Sequence, residues 1–563
     1  VIRAPVLDAM GASPDHYTGQ QFPAASPTGD ETRLSRFASR LLLLYGWRRY
    51  AVSLVAGALA SFSQAPFDFF AVCLISFPVL VWLLDGAAAD TSGGRLRQLA
   101  APFATGWWFG FGYFIGGLWW VGNAMFVDLA RYAWALPIAV LALPAILAVF
   151  YGLAAALARP FWSDGIGRIA ALAVAFGITE WLRTFVFTGF PWNAIGYAVM
   201  PVPHLMQSVA IVGMVGMNTL AVFVFAMPAL LAGSRHVRLG IAALLVLAAL
   251  HAGFGFVRLS FPGDGDAETL AIRVVQPSID QSEKWNSTVR DRIFQTYLEM
   301  SDRPATEGAP KPQLLLWPET SVPFILQDRP DALTALGELV DEGQTLLTGA
   351  VRIEGESAVD PDARFYNSVV GINSAGVIFD AVDKVHLVPL GEFVPFEQWL
   401  AKIGITKLVH LPGSFSAGGP RHAIEVAPGV GAVAFICYEV IFPGLVAKDT
   451  RNADLIVNVT NDAWYGRSPG PYQHFRQAQV RAVEAGRPMI RAANNGISAA
   501  VDARGRVIDA LALDAIGIMD VELPLSPADR LRTEHAGSIG WGVALVLLLV
   551  AVFLQLRSAV RRD

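Results

Sequence analysis

The sequence predicts a polytopic α-helical membrane bundle that carries a large aqueous α/β domain. Three observations lead there. The 563-residue chain is 54% hydrophobic and only 16% charged, where soluble domains hold about 25% charged residues. Its apolar residues gather in runs between about 40 and 258 and again at 538–557, and a bilayer crossing needs roughly 20 such residues. Residues 268–530, in contrast, have the composition of a soluble protein, with short β-branched runs alternating with helical stretches.

Eight spans are predicted, at 50–65, 68–85, 102–125, 133–158, 166–186, 205–232, 238–257 and 538–557. The first two are short and separated only by "QAPFD". Sidedness follows from Arg and Lys in the short connections. Arg33, Arg36, Arg40, Arg48 and Arg49 precede the first span, and Arg95, Arg97, Arg159, Arg168, Arg235 and Arg238 lie in alternate loops. The tail "RSAVRRD" adds three more, whereas 126–132 holds only Arg131. Arg183, Arg530 and Arg532 blur the pattern, and a seven-span reading would move one end, but the loop charges favour both termini in the cytoplasm. The expected organisation is a disordered cytoplasmic tail (1–36), a seven-span bundle (37–258), a catalytic domain across the membrane (268–530) and a last helix (538–557). The Pro-, Gly- and Asp-rich start has no apolar period and too little hydrophobicity to bury a core.

Within 268–530, strands are predicted at 270–279, 313–320, 344–353, 366–376, 431–440 and 453–462, and helices at 331–342 and 472–487. Such alternation reads as an α/β domain. Chemistry in such sheets is usually mounted just past strand ends, where Glu319, Lys384 and Cys437 stand. A thiol is mostly protonated at neutral pH and needs a base or a cation beside it. A carboxylate takes the proton, and an ammonium with a backbone N–H steadies an oxyanion. The three therefore form a coherent acyl-transfer set, although singly each has a plain reading as a helix cap, a solvated lysine or a buried thiol. The other cysteine, Cys73, sits in an apolar run and reads as a small buried hydrophobe. Glu180 and Arg183, at i and i+3, read as an intrabundle pair, structural or functional. No HExxH or phosphate-loop motif is present, no cofactor is called for, and a net charge of −5 gives no reason to expect a nucleic-acid partner.

Local sequence adds a resemblance. "WPET" (317–320), "DKVHLVPLGEFVP" (383–395) and "CYE" (437–439) resemble the three signatures of the nitrilase superfamily. With the flanking spans, and with "VVQPSIDQSEKW" (274–285), "TNDAWYG" (460–466), "RAVEAGRPMIRAANNGIS" (481–498) and "TEWLRTFVFTGFPWNAIGY" (179–197), the chain from about residue 45 onward is similar to the apolipoprotein N-acyltransferase branch of Gram-negative bacteria. That resemblance implies an αββα sandwich in the periplasm, held on the inner membrane. It also implies a ping-pong reaction, in which Cys437 takes the sn-1 acyl chain of a phospholipid as a thioester. The chain then passes to the N-terminal α-amine of a diacylglyceryl-cysteine apolipoprotein, the last step of lipoprotein maturation. By the same resemblance Glu319 is the base and Lys384 the stabiliser, with Glu392, Glu439 and Tyr438 in support, and Trp285 and Tyr438 in the substrate pocket. Glu392 and Glu439 also read as plain sheet-end hydrogen bonding, and the aromatics as core. A monomer is expected. The stretch 399–412 reads as a lid dipping toward lipid or as an ordinary packed helix. A tethered amidohydrolase with the same trio, and a transporter whose soluble domain only binds, are the rival readings.

Overall fold

The structure is a computed structural model and describes residues 32–87, 95–128, 134, 136–233, 236–260, 268–280, 288–305, 308–355, 362–389, 391–393, 414–525 and 535–560. Trp285 and the stretch 399–412 lie outside the described residues. The first half is helical: α1 (Arg33–Leu42), α2 (Gly46–Ala60), α3 (Cys73–Ala87), α4 (Arg95–Leu118), α5 (Leu136–Ala158), α6 (Ile166–Leu182), α7 (Pro203–Met206), α8 (Val209–Ala226) and α9 (Val237–Ser260). The chain closes on α14 (Ala536–Val560).

Among the described residues, five helices are long and apolar enough to cross a membrane: Phe70–Ala87, Leu136–Phe161, Val209–Ala232, Val237–Ser260 and Ala536–Val560. They coincide with five of the eight predicted spans. The other three fall on α2, α4 and α6. α2 and α6 have 15 and 17 residues, about 22–26 Å at 1.5 Å per residue, short of a hydrocarbon core of about 30 Å. α2 is nevertheless locked into the bundle by small residues: a Cβ on Gly57 would lie 1.8 Å from the Phe109 carbonyl oxygen, and one on Gly112 2.0 Å from that of Leu54. α9 and α14 turn exposed rows outward, including Leu245, Leu250, Val546 and Phe553, as a lipid-facing surface does.

The strands that follow among the described residues are β1 (Thr269–Gln276), β2 (Leu314–Leu316), β3 (Thr345–Glu354), β4 (Arg364–Ile372), β5 (Ile378–Asp383), β6 (Ile424–Ala427), β7 (Val430–Ile436), β8 (Leu455–Thr460), β9 (Met489–Ala493), β10 (Ser498–Val501), β11 (Val507–Leu511) and β12 (Gly517–Pro524). They form two six-stranded sheets, ordered β12-β1-β2-β3-β4-β5 and β11-β10-β9-β8-β7-β6. β1-β2-β3 and β7-β8-β9 are parallel, with antiparallel strands flanking each set. Ile272, Leu316 and Val369 of the first sheet share one core with Val433, Phe435 and Ile456 of the second, so the sheets stack face to face. The outer side of the first sheet, at Val275, Leu315 and Leu346, is covered by α10 (Arg290–Ser301) and α11 (Pro330–Leu339) through Phe294, Tyr297 and Leu336. The second sheet is covered by α13 (Pro469–Ala485), with the short α12 (Leu445–Asp449) before it. This is the expected layered α/β arrangement. α13 also has a second neighbour, since its Val480 and Val483 pack with Met206, Val209 and Met214 of the bundle.

Candidate active site

Glu319, Lys384 and Cys437 arrive from three strand ends. Glu319 lies just past β2, Lys384 directly follows β5, and Cys437 directly follows β7. Cys437 has φ +53° and Thr320, next to Glu319, has φ +47°. Left-handed backbone at non-glycine residues costs about 1–3 kcal/mol each and clusters at functional sites. At Cys437 it breaks the strand into the tight turn Cys437–Ile441.

All three residues are buried. The Lys384 ammonium donates to Glu392 Oε1 at 2.9 Å and to Glu319 Oε1 at 3.4 Å. Asn367 Nδ2, from β4, donates to both carboxylates, at 2.8 Å to Glu319 and 2.9 Å to Glu392. Glu319 Oε2 accepts the backbone N–H of Asn461 at 3.0 Å. Burial opposes the Lys384 charge, but Glu392, Glu319, Cys437 and Glu439 outweigh it and raise the ammonium's pKa above the ordinary lysine range. Burial, with Glu319 adding, pushes the Cys437 thiol up to about 12, while Lys384 and a hydrogen bond with Thr460 pull it down. The resting sulfur is thus protonated, between a carboxylate that opposes its ionisation and an ammonium that favours it.

The supporting residues divide by task. Glu439 accepts the backbone N–H groups of Val385 (2.7 Å), His386 (2.8 Å) and Ile436 (2.9 Å), and pairs with Arg421. One carboxylate therefore ties the loop after Lys384 to the strand that ends at Cys437. Glu392 holds Lys384 and accepts the Val388 N–H at 2.8 Å. The Tyr438 ring turns toward the bundle: its hydroxyl donates to the Gly189 carbonyl at 2.5 Å, and the ring lies 6.0 Å from that of Phe190.

Several residues at the site carried no role in the sequence reading. Asn367 is one. Behind Cys437, His474 Nε2 lies 3.1 Å from the cysteine's carbonyl and Nδ1 2.9 Å from Asp462. Arg491, from β9, donates to Asp462 at 2.9 Å. Burial works against the Asp462 charge, yet Arg491 and His474 hold its carboxyl down at about 2. In front, the Tyr465 hydroxyl is 4.0 Å from the sulfur. Its ring is walled by Trp120 at 4.8 Å and Trp192 at 5.6 Å. Both indoles donate to Gln473 Oε1, at 3.1 and 2.9 Å, so the bundle contributes the wall behind the Tyr465 ring. Its anchor is the predicted pair: Arg183 and Glu180 are 2.5 Å apart, and Arg183 also donates to the carbonyls of Phe190 (2.7 Å) and Trp192 (2.8 Å). Only Asn367 and Arg491 leave a trace in the sequence, each as a polar side chain interrupting an apolar run, in "FYNSVVGI" and "MIRAA", and neither string names a partner.

With the geometry described, comparison with known proteins is direct. The carbon-nitrogen hydrolase family model matches residues 271–533, and the apolipoprotein N-acyltransferase N-terminal domain model matches 56–227. The apolipoprotein N-acyltransferase of Brucella melitensis biotype 1 is 53% identical over 92% of this chain and 97% of its own length. That of Allorhizobium ampelinum is 50% identical over 93% and 99%. A solved CN-hydrolase superfamily protein of Xanthomonas campestris aligns at 17% identity and a TM-score of 0.33, covering 49% of this chain and 97% of that one. The chain belongs to the apolipoprotein N-acyltransferase family, within the nitrilase superfamily.

Proposed function

We propose that this protein moves the sn-1 acyl chain of a phospholipid, by way of a thioester on Cys437, to the N-terminal α-amine of a diacylglyceryl-cysteine apolipoprotein. The observation that carries the reading is the buried cluster in which Glu319 and Lys384 act with opposite sign on one thiol. Glu319 takes the thiol proton as sulfur attacks the ester carbon. Lys384 and the Tyr438 backbone N–H hold the oxyanion. Collapse breaks the bond to the sn-1 oxygen, which takes the proton from Glu319 and leaves with the lysophospholipid. The acceptor amine then attacks the thioester carbon and gives its proton to Glu319, which returns it to the departing sulfur. Trp285 completes the pocket by resemblance.

A membrane bundle suits such a donor, because drawing an acyl chain into water costs roughly 0.8 kcal/mol per CH₂. The reading includes eight spans in the bacterial inner membrane, a periplasmic domain at 268–530, cytoplasmic termini, and a monomer acting on lipid donor and lipoprotein acceptor without nucleic acid. The test is mass spectrometry of the purified protein after exposure to labelled phospholipid, then to a diacylated lipopeptide. The expected result is an acyl mass on Cys437 that the lipopeptide discharges, and neither adduct nor transfer in Cys437→Ser. Transfer that persists in Cys437→Ser overturns the reading, and discharge by water at the same rate without lipopeptide favours the hydrolase instead.

A further inference from the structure

Cys437 is buried with left-handed backbone (φ +53°), a conformation that persists only where the surroundings over-determine it. Two side chains grip it from opposite sides. Before it, Glu439 Oε2 accepts the Ile436 N–H at 2.9 Å. After it, His474 Nε2 of α13 lies 3.1 Å from the Cys437 carbonyl oxygen. A carbonyl only accepts, so Nε2 carries the proton of that bond.

The carbonyl that His474 holds shares one peptide plane with the Tyr438 N–H. In a trans peptide the two point in opposite directions, so fixing the carbonyl toward α13 turns the N–H to the other face of the turn. Among the described residues no acceptor takes that N–H. Tyr438 is buried and second in the one-and-a-half-turn segment Cys437–Ile441, where the first N–H groups have no partner within the helix. A buried donor left without an acceptor is costly, and an oxyanion that exists only during reaction is the partner it fits. A turn this short has poor internal hydrogen bonds and gains from an outside hold on its first peptide.

His474 is fully buried and engaged at both ring nitrogens. Nδ1 lies between Asp462 Oδ1 at 2.9 Å and Arg491 Nη2 at 3.1 Å. It therefore has a partner with a proton, as donor to Asp462, and without one, as acceptor from Arg491. Nε2 keeps its proton in both states. The Trp192 ring lies 5.2 Å from the imidazole and the Tyr465 ring 5.9 Å. Asp462 is fixed in turn by Arg491 at 2.9 Å and by the Thr460 hydroxyl at 3.0 Å.

We propose that His474 is a positioning residue for acyl transfer: by holding the Cys437 carbonyl it aims the Tyr438 N–H at the oxyanion. It touches neither substrate nor sulfur and acts through the peptide it orients. The inference rests on the Cys437 thioester reading above.

The test compares His474→Gln with His474→Asn, which carry the same amide at two lengths. The Gln N–H reaches the place of Nε2, and the Asn amide only that of Nδ1. Two reactions of Cys437 are followed in the full chain with a Cys73→Ala background, alongside the unfolding midpoint. Acylation by labelled phospholipid builds an oxyanion, and alkylation by iodoacetamide builds none. His474→Asn is expected to lower acylation about 10–10²-fold, short of the 10²–10³ or so lost with a whole oxyanion donor, while alkylation stays within about threefold. His474→Gln is expected to regain about tenfold, the worth of one hydrogen bond. Carbonyl-¹³C cysteine gives the Cys73→Ala protein one labelled carbonyl, whose amide I band should lie at higher frequency in His474→Asn than with His474 intact. Acylation at the parent level in His474→Asn, or acylation and alkylation falling there in proportion, overturns the proposal. So does His474→Gln no better than His474→Asn, or an unshifted band. Absence of any adduct with His474 intact counts against the acyl-transfer reading, and the band then still decides whether His474 holds the carbonyl.

Discussion

Replacing Glu319 with Gln separates thiol ionisation from catalysis, because the two are expected to move in opposite directions. With the Cys437 thiol pushed up to about 12 by burial and Glu319, the protonated form dominates at neutral pH, so attack needs a base that takes the proton in the transition state. A positioned general base contributes about 10²–10⁴-fold, or about 3–5 kcal/mol of barrier. Gln is isosteric but accepts through one oxygen, so it serves either the Asn461 N–H or the Asn367 and Lys384 donors. Lys384 stays charged and in place because Glu392, at 2.9 Å, is nearer to it than Glu319 at 3.4 Å. Acylation of Cys437 by phospholipid should therefore fall about 10²–10⁴-fold. The same substitution removes a negative charge that raises the thiol pKa, so iodoacetamide should label Cys437 at a lower pH than in wild type. Lys384→Met should shift labelling to higher pH, because the ammonium pulls the thiol down. The assay pairs adduct formation with alkylation rate from pH 7 to pH 11, using Cys73→Ala background protein. Acylation that survives in Glu319→Gln, or alkylation shifting upward there, would refute the assignment of Glu319 as base.

Glu439→Gln can keep one oxygen for the Val385, His386 and Arg421 donors but loses the bond from the Ile436 N–H, a charge-assisted bond of about 1.5–3 kcal/mol, and should slow acylation by loosening the turn at Cys437; denaturant unfolding and the adduct assay read the two effects. Arg183→Met strands the buried Glu180 charge and should cost about 3–5 kcal/mol, with Glu180→Gln/Arg183→Met recovering part of it in thermal unfolding. Asp462 has a folded pKa of about 2 against about 3.9 unfolded. Its contribution, on the order of 2 kcal/mol, is present above pH 4 and lost as pH falls toward 2. Stability followed by tryptophan fluorescence should decline across that window, and Asp462→Asn should flatten the decline.

How far the sequence carried depends on where each residue's partners sit. Glu319, Lys384 and Cys437 were legible because each stands in a distinctive local string at a strand end. β1, β3, β4, β7 and β8 were legible because their apolar runs are continuous. β9 was not, since "MIRAA" is short and is interrupted by Arg491, whose partners Asp462 and Asn458 come from other parts of the sheet. Asn367 was illegible for the same reason: in a strand an asparagine reads as facing water, and only the fold brings two carboxylates to its amide. The spans were legible from hydropathy, five of them as helices of full length and apolarity. What the sequence did not show is how the short α2 and α6, also predicted as spans, are held, by glycine packing and by a buried ion pair.

α13 shows the most about why the two halves of the chain belong together. Its sequence, "PGPYQHFRQAQVRAVEA", has the polarity of a surface helix, yet Gln473, His474, Gln477, Gln479, Arg481 and Glu484 are all buried. Most of their polar atoms have partners on one side or the other, with Gln477 Oε1 and Arg481 Nε the exceptions. Gln473 accepts from Trp120 and Trp192 and donates to the Gly117 carbonyl at 3.2 Å. Gln479 donates to Gly505 at 2.7 Å, and Arg476 pairs with Asp68 at 3.0 Å. A buried polar group without such a partner costs about 1–3 kcal/mol, so this helix is compatible with burial only when sheet and bundle are both present. The same helix carries His474 to the backbone of Cys437 and Gln473 to the indoles that wall Tyr465. The surface that holds the domain on the bundle is therefore also the back of the active site. Arg183, in the bundle, reaches this surface through the Trp192 carbonyl and the Trp192–Gln473 bond, so Arg183→Met is expected to slow Cys437 acylation as well as to destabilise the fold.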